Sequence, residues 1–427
     1  MMLKTWNMKT VVSVAAMLAL VLFASCSGVS YSGEVENVDG EMNTASKVRF
    51  DVDWSCTDQE LPENITVMMN RVQNVTVHYA WNLDSEGNPL APVASAETDA
   101  PVGEEESAPS LIVQNGLYTI MGVSAQNPED YFIPGLERFA DSLSYKTKDV
   151  YVVLPEVPDE DRFEHNLVDL NPTCPFIRSI GPMFFMRSDN NALITKVSES
   201  PEDGVITVPV KMQKLSHNFK FEVLLKTEDR SRADSDMTEA EDGVVGVVYL
   251  DALNAVISGV PYQVQLMSGY LSRDKAGKVG FKLDKKSETR VPDSELNLYE
   301  GTYEGSIAAF GLFSSEDVEH LAGSGILNIF LYPKIYYETA GGEKVAVTRV
   351  FHASINIKEE IDAAKIMVQV PDRDSYVYAK DGDTELKVRT SIVLSYEDVL
   401  TGTSQGLKEW TSNELNPDNN FNPGLEM

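Results

Sequence analysis

The sequence predicts an all-β protein of two antiparallel β-sandwich domains, and three observations lead there. Apolar residues recur with a period of two in many short runs, turn residues punctuate those runs, and helical periodicity is almost absent. Short strands with no helices between them must bury their apolar faces against one another, which is the sandwich solution. A length of 427 residues exceeds what one core holds and points to two domains.

The chain opens with Lys4 and Lys9 ahead of an apolar run from Val11 to Phe23, which closes on Leu22-Phe23-Ala24-Ser25-Cys26. A positive start, a short apolar stretch and small residues before a cysteine form a secretory signal over residues 1–25. That stretch is too short to span a bilayer as a helix. Leu-x-Ala-Ser-Cys resembles a bacterial lipobox, which implies cleavage before Cys26 and diacylglycerol on its sulfur. The alternative is an ordinary secretory peptide with a cysteine near its cut site. Each buried methylene of an acyl chain contributes about 0.8 kcal/mol, so two or three chains hold a soluble domain at a membrane. Residues 26–46 lack Lys and Arg and have little apolar periodicity, and read as a flexible tether or propeptide.

The first domain is expected over 47–228. Val48, Phe50, Val52 and Trp54 alternate with Arg49, Asp51, Asp53 and Ser55, the pattern of a half-buried strand. The same period recurs at Val75, Val77, Tyr79 and Trp81 and from Leu117 to Val123, with shorter segments at Val150–Leu154 and Met183–Met186. In the run from Ile206 to Lys226, Val208, Val210 and Met212 share one parity, whereas Leu215, Phe219, Phe221, Val223 and Leu225 share the other. A strand cannot keep its face across that change, so a bulge or bend is expected near Gln213–Ser216. Residues 88–110 and 155–182, rich in proline and acid, read as long loops.

Residues 229–242 are charged and nearly devoid of apolar side chains, and read as an acidic linker or surface loop. The second domain, 243–411, holds strands at Val244–Tyr249, Leu253–Ser258, Tyr262–Ser268, Tyr303–Phe310, Ile326–Tyr332, Val347–Ile357, Ile366–Val370 and Leu386–Tyr396. Turns at Asp274–Gly277, Gly341-Gly342 and Lys380–Asp383 separate strands. Ser314–Leu321 and Glu359–Ala364 are each expected to form a short turn of helix. The polar tail, 412–427, should be extended.

Composition excludes some functions. A net charge of −31 with no cluster of Lys and Arg excludes nucleic acid as a partner. No Gly-x-Ser-x-Gly elbow, His-Glu-x-x-His, Walker loop or dinucleotide fingerprint is present, so enzymatic function, cofactors and metal have no positive support. His78 and His352 fall on the polar parity of their strands and read as surface histidines. Asp159-Glu160-Asp161 and the Asp381/Asp383 pair lack calcium-loop spacing and read as solvated charge. Trp54 and Trp81 are in phase with Val and Phe and read as core, whereas Trp410 lies outside the expected core. Asn64-Ile-Thr66 and Asn74-Val-Thr76 match the glycosylation sequon. With Cys26 lipidated, Cys56 and Cys174 are a candidate disulfide in an oxidising compartment, with two buried thiols as the alternative.

With these features in hand, the chain resembles the fimbrillin-like lipoproteins of Bacteroidales, with their fimbrillin or transthyretin-like sandwiches. The residues that carry the likeness are Val48-Arg-Phe-Asp-Val-Asp-Trp54, the Val208–Val223 run, Gly305-Ser-Ile-Ala-Ala-Phe-Gly311, Ile326–Tyr332 and His352–Ile357. The resemblance implies a lipoprotein precursor cut after a basic residue near the first strand, leaving a groove that a neighbour's extended segment fills by strand addition. Lys47 and Arg49 are then the candidate processing positions, and Leu386–Tyr396 or the tail beyond Trp410 the candidate donor. The tail is less apolar than a good donor, which favours an anchor, tip or accessory subunit.

The expected function is therefore a non-enzymatic fimbrial-type lipoprotein of the outer membrane, held by its lipid anchor. Its partners would be other fimbrial subunits or its own copies by strand exchange, and host or glycan ligands. The alternative is a glycan-binding outer-membrane lipoprotein of a polysaccharide-uptake system, using exposed aromatics such as Trp410.

Overall fold

The computed structural model describes residues 45–72, 78–93, 109–136, 150–158, 174–187, 192–194, 205–228, 250, 252–292, 298–319, 321–338, 344–380, 382–395, 398–399 and 411–414. Cys26, the tether before residue 45, the 229–242 segment, Val244–Tyr249, Trp410 and all but three residues of the 412–427 tail lie outside them.

The chain is built almost entirely of strands. The first are β1 (Ala45–Asp53), β2 (Asn64–Arg71), β3 (His78–Asp84), β4 (Pro89–Pro92), β5 (Leu111–Gln114) and β6 (Gly116–Ala125). There follow β7 (Tyr151–Val153), β8 (Phe176–Ile177), β9 (Met183–Arg187), β10 (Ala192–Ile194), β11 (Val205–Lys214) and β12 (His217–Glu228). The second half holds β13 (Ala252–Pro261), β14 (Gln263–Gln265), β15 (Ala276–Arg290), β16 (Leu298–Ala309), β17 (Ile326–Leu331), β18 (Lys334–Glu338) and β19 (Lys344–Asn356). A helix, α1 (Lys358–Ala364), precedes β20 (Met367–Gln369), β21 (Tyr376–Tyr378), β22 (Thr384–Leu394) and β23 (Thr411–Glu414).

The first sheet runs β4-β3-β2-β6-β9-β11-β1-β5, with β10 on β6. All its described pairings are antiparallel except β1 with β11. Strand β11 belongs to two walls at once: Val205–Lys211 pair with β1, and Met212–Lys214 pair with β9. The sheet therefore folds over through β11 and encloses a core between its halves. Val48 and Phe50 of β1 and Leu111 and Val113 of β5 pack there against Ile65 and Val67 of β2, Trp81 of β3 and Phe184 of β9. Burying a Val or Phe of this kind contributes roughly 1.5–3 kcal/mol.

The second sheet runs β18-β19-β17-β13-β15-β16-β12-β22, with β23 on β19 and β8 on β15. Here β12 and β22 are parallel, as are β8 and β15. Its inner face buries Phe221, Ile257, Phe281, Ile329 and Leu386 in one cluster with Met121, Val123 and Phe185 from the outer face of the first sheet. The first sheet is thus apolar on both faces. Its strands β2, β6 and β9 read as continuous apolar runs, and Met68 and Met69 are both fully buried on opposite sides.

Three strands that precede residue 228 pair with second-half partners: β7 with β14, β8 with β15, and β12 with β16 and β22. The change of sheet falls at Leu215-Ser216, between β11 and β12, which is where the sequence places a parity break. The described ends of the 155–182 excursion also contribute, because Val157 and Phe176 cover Val256 and Phe330 on the outer face of the second sheet.

Some expectations are corrected. Ser314–Leu321 forms no helix in its described residues, and Phe313 and Ser315 are held instead by Gly259 and Asp317. The helix after β19 forms, with the Lys358 amide donating to Asn356 Oδ1 at 3.0 Å and Lys365 ending it at φ +50°. His78 and His352 are buried, at 4% and 8% exposure, because the faces they point from are themselves covered.

Candidate functional site

Two places in this frame are candidate sites: the first strand, and a cleft beside the passage from β11 to β12. Strand β1 alternates in burial along its length, with Val48 and Phe50 inward and Lys47, Arg49 and Asp51 outward. It is hydrogen-bonded on both sides. Lys47 to Asp53 pair with Val205 to Lys211 of β11, and Ala45 to Val48 pair with Leu111 to Gln114 of β5. Arg49 also donates from Nε to Thr207 Oγ1 at 3.0 Å. The two candidate processing residues therefore have exposed side chains on a backbone engaged in the sheet.

Beyond β1 the chain turns at Asp53–Cys56. Asp53 accepts from the Ser55 amide at 2.8 Å and from Ser55 Oγ at 3.2 Å, and these bonds hold its carboxyl below the usual range. Trp54 packs edge-on to Phe184 at 5.4 Å and donates to the Ser85 carbonyl at 2.8 Å, and Trp81 is buried, so both tryptophans belong to the first core. Cys56 and Cys174 are not bridged. Cys56 packs against the first core, whereas Cys174 Sγ lies 3.8 Å from the Ala276 carbonyl beside β15, so the fold takes the two sulfurs to different places.

The cleft has a volume of about 760 Å³. One wall is the end of β11 and the start of β12, with Lys211, Gln213, Lys214 and His217, together with Ser55 and Cys56. The other is built from Ser268, Leu271, Phe310, Val377, Tyr378 and Lys380. Gly269, at φ +70°, closes the Gln265–Tyr270 turn that presents Ser268, with its amide donating to the Gln265 carbonyl at 2.8 Å. The two walls are tied by His217, whose ring stacks on Tyr378 with centroids 3.3 Å apart and planes 6° from parallel.

Lysines supply the charge of the described cleft lining, while the carboxylates of Asp53 and Asp383 act on it from beside the cleft. Burial first, and Lys214 next, lower the His217 pKa to about 4, with Asp383 acting in the opposite sense. Burial pushes the Cys56 thiol up, while Lys214 and Lys211 act to lower it. Asp383 is engaged outside the cleft by Lys220 at 3.5 Å and Asn218 at 3.3 Å. Among the described residues no group of three or more His, Cys, Asp or Glu is placed to hold a metal ion. Sequence reasoning missed this cleft. Lys211, Lys214, His217 and Lys380 are spaced without a motif, and only Lys211 and Gln213, two apart on β11, share a strand face by their spacing.

No family model and no curated protein matches this sequence. Solved structures are similar to it in fold. A candidate adhesin from Bacteroides ovatus is 12% identical at a TM-score of 0.37, over 82% of this chain and 93% of its own. The fimbrial anchor protein Mfa2 from Porphyromonas gingivalis is 11% identical at a TM-score of 0.32, over 79% and 96%. A candidate polysaccharide-binding protein from Bacteroides thetaiotaomicron is 8% identical at 0.31, over 87% and 98%. The structural neighbours are Bacteroidales adhesion, fimbrial and polysaccharide-binding proteins by name, and each name is the neighbour's own.

Proposed function

We propose that this protein is a non-enzymatic, lipid-anchored surface protein of fimbrial type, acting in adhesion or pilus anchoring through β-strand complementation. The observation that carries the reading is β1. An amino-terminal strand that follows a signal, a cysteine and a tether lies parallel to β11 and pairs on both edges. Its removal would expose backbone groups of β5 and β11 together with the apolar residues Leu111, Val113 and Val208, an acceptor for an extended segment.

In the folded chain β1 fills this acceptor itself, so complementation by a partner requires β1 to be displaced. A protease acts on extended backbone free of other hydrogen bonds, and Lys47 and Arg49 lie inside the ladder, so cutting there requires β1 to leave the sheet first. The Leu386–Leu394 part of the proposed donor is already an edge strand of its own sheet, with Leu386, Val388, Ile392 and Leu394 buried. Both observations favour an anchor or accessory subunit over a self-polymerising stalk.

The test is a denaturing gel of surface fractions from the native host, boiled and unboiled, probed with an antibody to the second half of the chain. An anchor gives one band whose amino terminus is acylated Cys26, and co-purifies with a larger assembly. A heat-sensitive ladder with a terminus at Val48 or Phe50 would replace the anchor reading with a stalk pilin. A single band found in no assembly would remove the fimbrial reading.

A further inference from the structure

None of the described residues lining the cleft is Asp or Glu, in a chain that carries 66 of them against 35 Lys and Arg. Lys211, Lys214 and Lys380 converge on it from two walls; Lys211 lies opposite Asp53 and interacts with it electrostatically, and none of the three forms an ion pair within 4 Å among the described residues. A concave surface of one sign with low-dielectric walls concentrates field on its contents. On a chain so rich in carboxylates, a lining without them is a place where an anion meets less repulsion.

The rest of the wall narrows the chemistry. Ser55, Ser268 and Gln213 add polar side chains to the lining, Ser55 Oγ donating to Asp53 and Ser268 Oγ to Gln265, and Leu271, Phe310 and Val377 supply an apolar side. A cavity of about 760 Å³ falls in the range of organic ligand sites and is far larger than an inorganic anion fills. The ligand that matches is a polyol with carboxylate groups and an apolar ring face. We propose that the cleft is a binding site for an acidic saccharide of the uronic acid type, with Lys211, Lys214 and Lys380 receiving its carboxylates. This goes beyond the strand-complementation reading and does not depend on it.

Cys56 provides the readout, because its half-buried thiol lines the same cleft whereas Cys174 does not. The full lipidated chain in detergent is treated with N-ethylmaleimide, and modification of each cysteine is followed by peptide mass spectrometry. Trigalacturonate is expected to slow Cys56 labelling at least fivefold while leaving Cys174 unchanged, and its methyl ester, inorganic phosphate and hexaglutamate are expected to leave both unchanged. Calorimetry on the same samples reads binding independently of the thiol. The triple variant Lys211→Gln, Lys214→Gln, Lys380→Gln should bind at least tenfold more weakly, and the three single variants are measured alongside to guard against misfolding.

The proposal is overturned if trigalacturonate neither protects Cys56 nor releases heat. It is equally overturned if the methyl ester, phosphate or hexaglutamate performs as well, since the site would then read no acidic sugar. Any of these failures leaves the gel result for the assembly reading untouched.

Discussion

His217 lies flat on Tyr378, the two rings 3.3 Å apart between centroids and 6° from parallel. His217 is the first residue of β12, where the chain has just left the first sheet, and Tyr378 ends β21 on the opposite wall. The stack therefore clamps the crossing point, and Phe219 reinforces it edge-on to the tyrosine at 6.3 Å.

Removing the Tyr378 ring should loosen both the crossing and the cleft. Tyr378→Ala is expected to destabilise the protein by about 1–3 kcal/mol, since aromatic pairs contribute about 0.5–1.5 kcal/mol beyond their buried area. Tyr378→Phe, which keeps the ring and gives up the hydrogen bond to the Gly382 carbonyl at 3.2 Å, should cost less than about 1 kcal/mol. Urea unfolding of the two variants separates these outcomes.

A second prediction concerns His352, which is 8% exposed, stacks on Phe330 at 4.9 Å and meets Asn328 Oδ1 at 3.1 Å. Burial lowers its pKa from 6.5 to about 4. Between those values the unfolded chain binds a proton that the folded chain refuses. The stability that His352 contributes is thus fully present above pH 6.5 and is lost as pH falls toward 4. His352→Gln should remove about 2 kcal/mol of the stability lost between pH 7.5 and pH 5, measured as the difference between the two denaturation midpoint profiles.

The paired state of β1 predicts its resistance to proteolysis. Trypsin should leave Lys47 and Arg49 uncut in the folded protein, and cutting should begin only when β1 opens. Phe50→Ala, which empties a site of 2% exposure, should cost about 3–5 kcal/mol and accelerate cleavage at both residues. Rapid cutting of the unaltered protein at Lys47 would contradict the geometry and point back to processing.

The unbridged sulfurs make a fourth prediction. Alkylation of the unfolded, unreduced protein should modify both Cys56 and Cys174, and reductant should leave its stability unchanged. A mass two hydrogens short, with neither cysteine modified, would mean the two meet.

Much of the strand pattern was legible. Val48 and Phe50 announce β1 by alternation, and the parity change between Met212 and Leu215 marks the step from β11 to β12. What that step means was not legible: it read as a bulge within one strand and is a passage from one sheet to another. Strand β15 carries a partial alternation, Val279, Phe281 and Leu283 against Lys278, Lys282 and Asp284, but it is followed by a run of charged residues that continues the strand without any apolar period. Strand β2 evades a period-two reading for the opposite reason. Val67, Met68 and Met69 are consecutive apolar residues, the mark of a strand covered on both faces, and they lack the alternation that identifies a half-buried one.

By itself, the sequence determined the class of fold and where most strands begin, because period-two burial and turn chemistry are local properties of consecutive residues. It also determined the acidic charge of the whole and the lack of any catalytic motif. Only the tertiary structure decided that β7, β8 and β12 join the second sheet, that His78 and His352 are buried, that Cys56 and Cys174 are kept apart, and that Lys211, Lys214 and Lys380 face one cleft. The physical reason is common to all four. Each depends on which surfaces a strand meets after it has formed, and strand partners are chosen by packing among residues far apart in the chain, which no local period records.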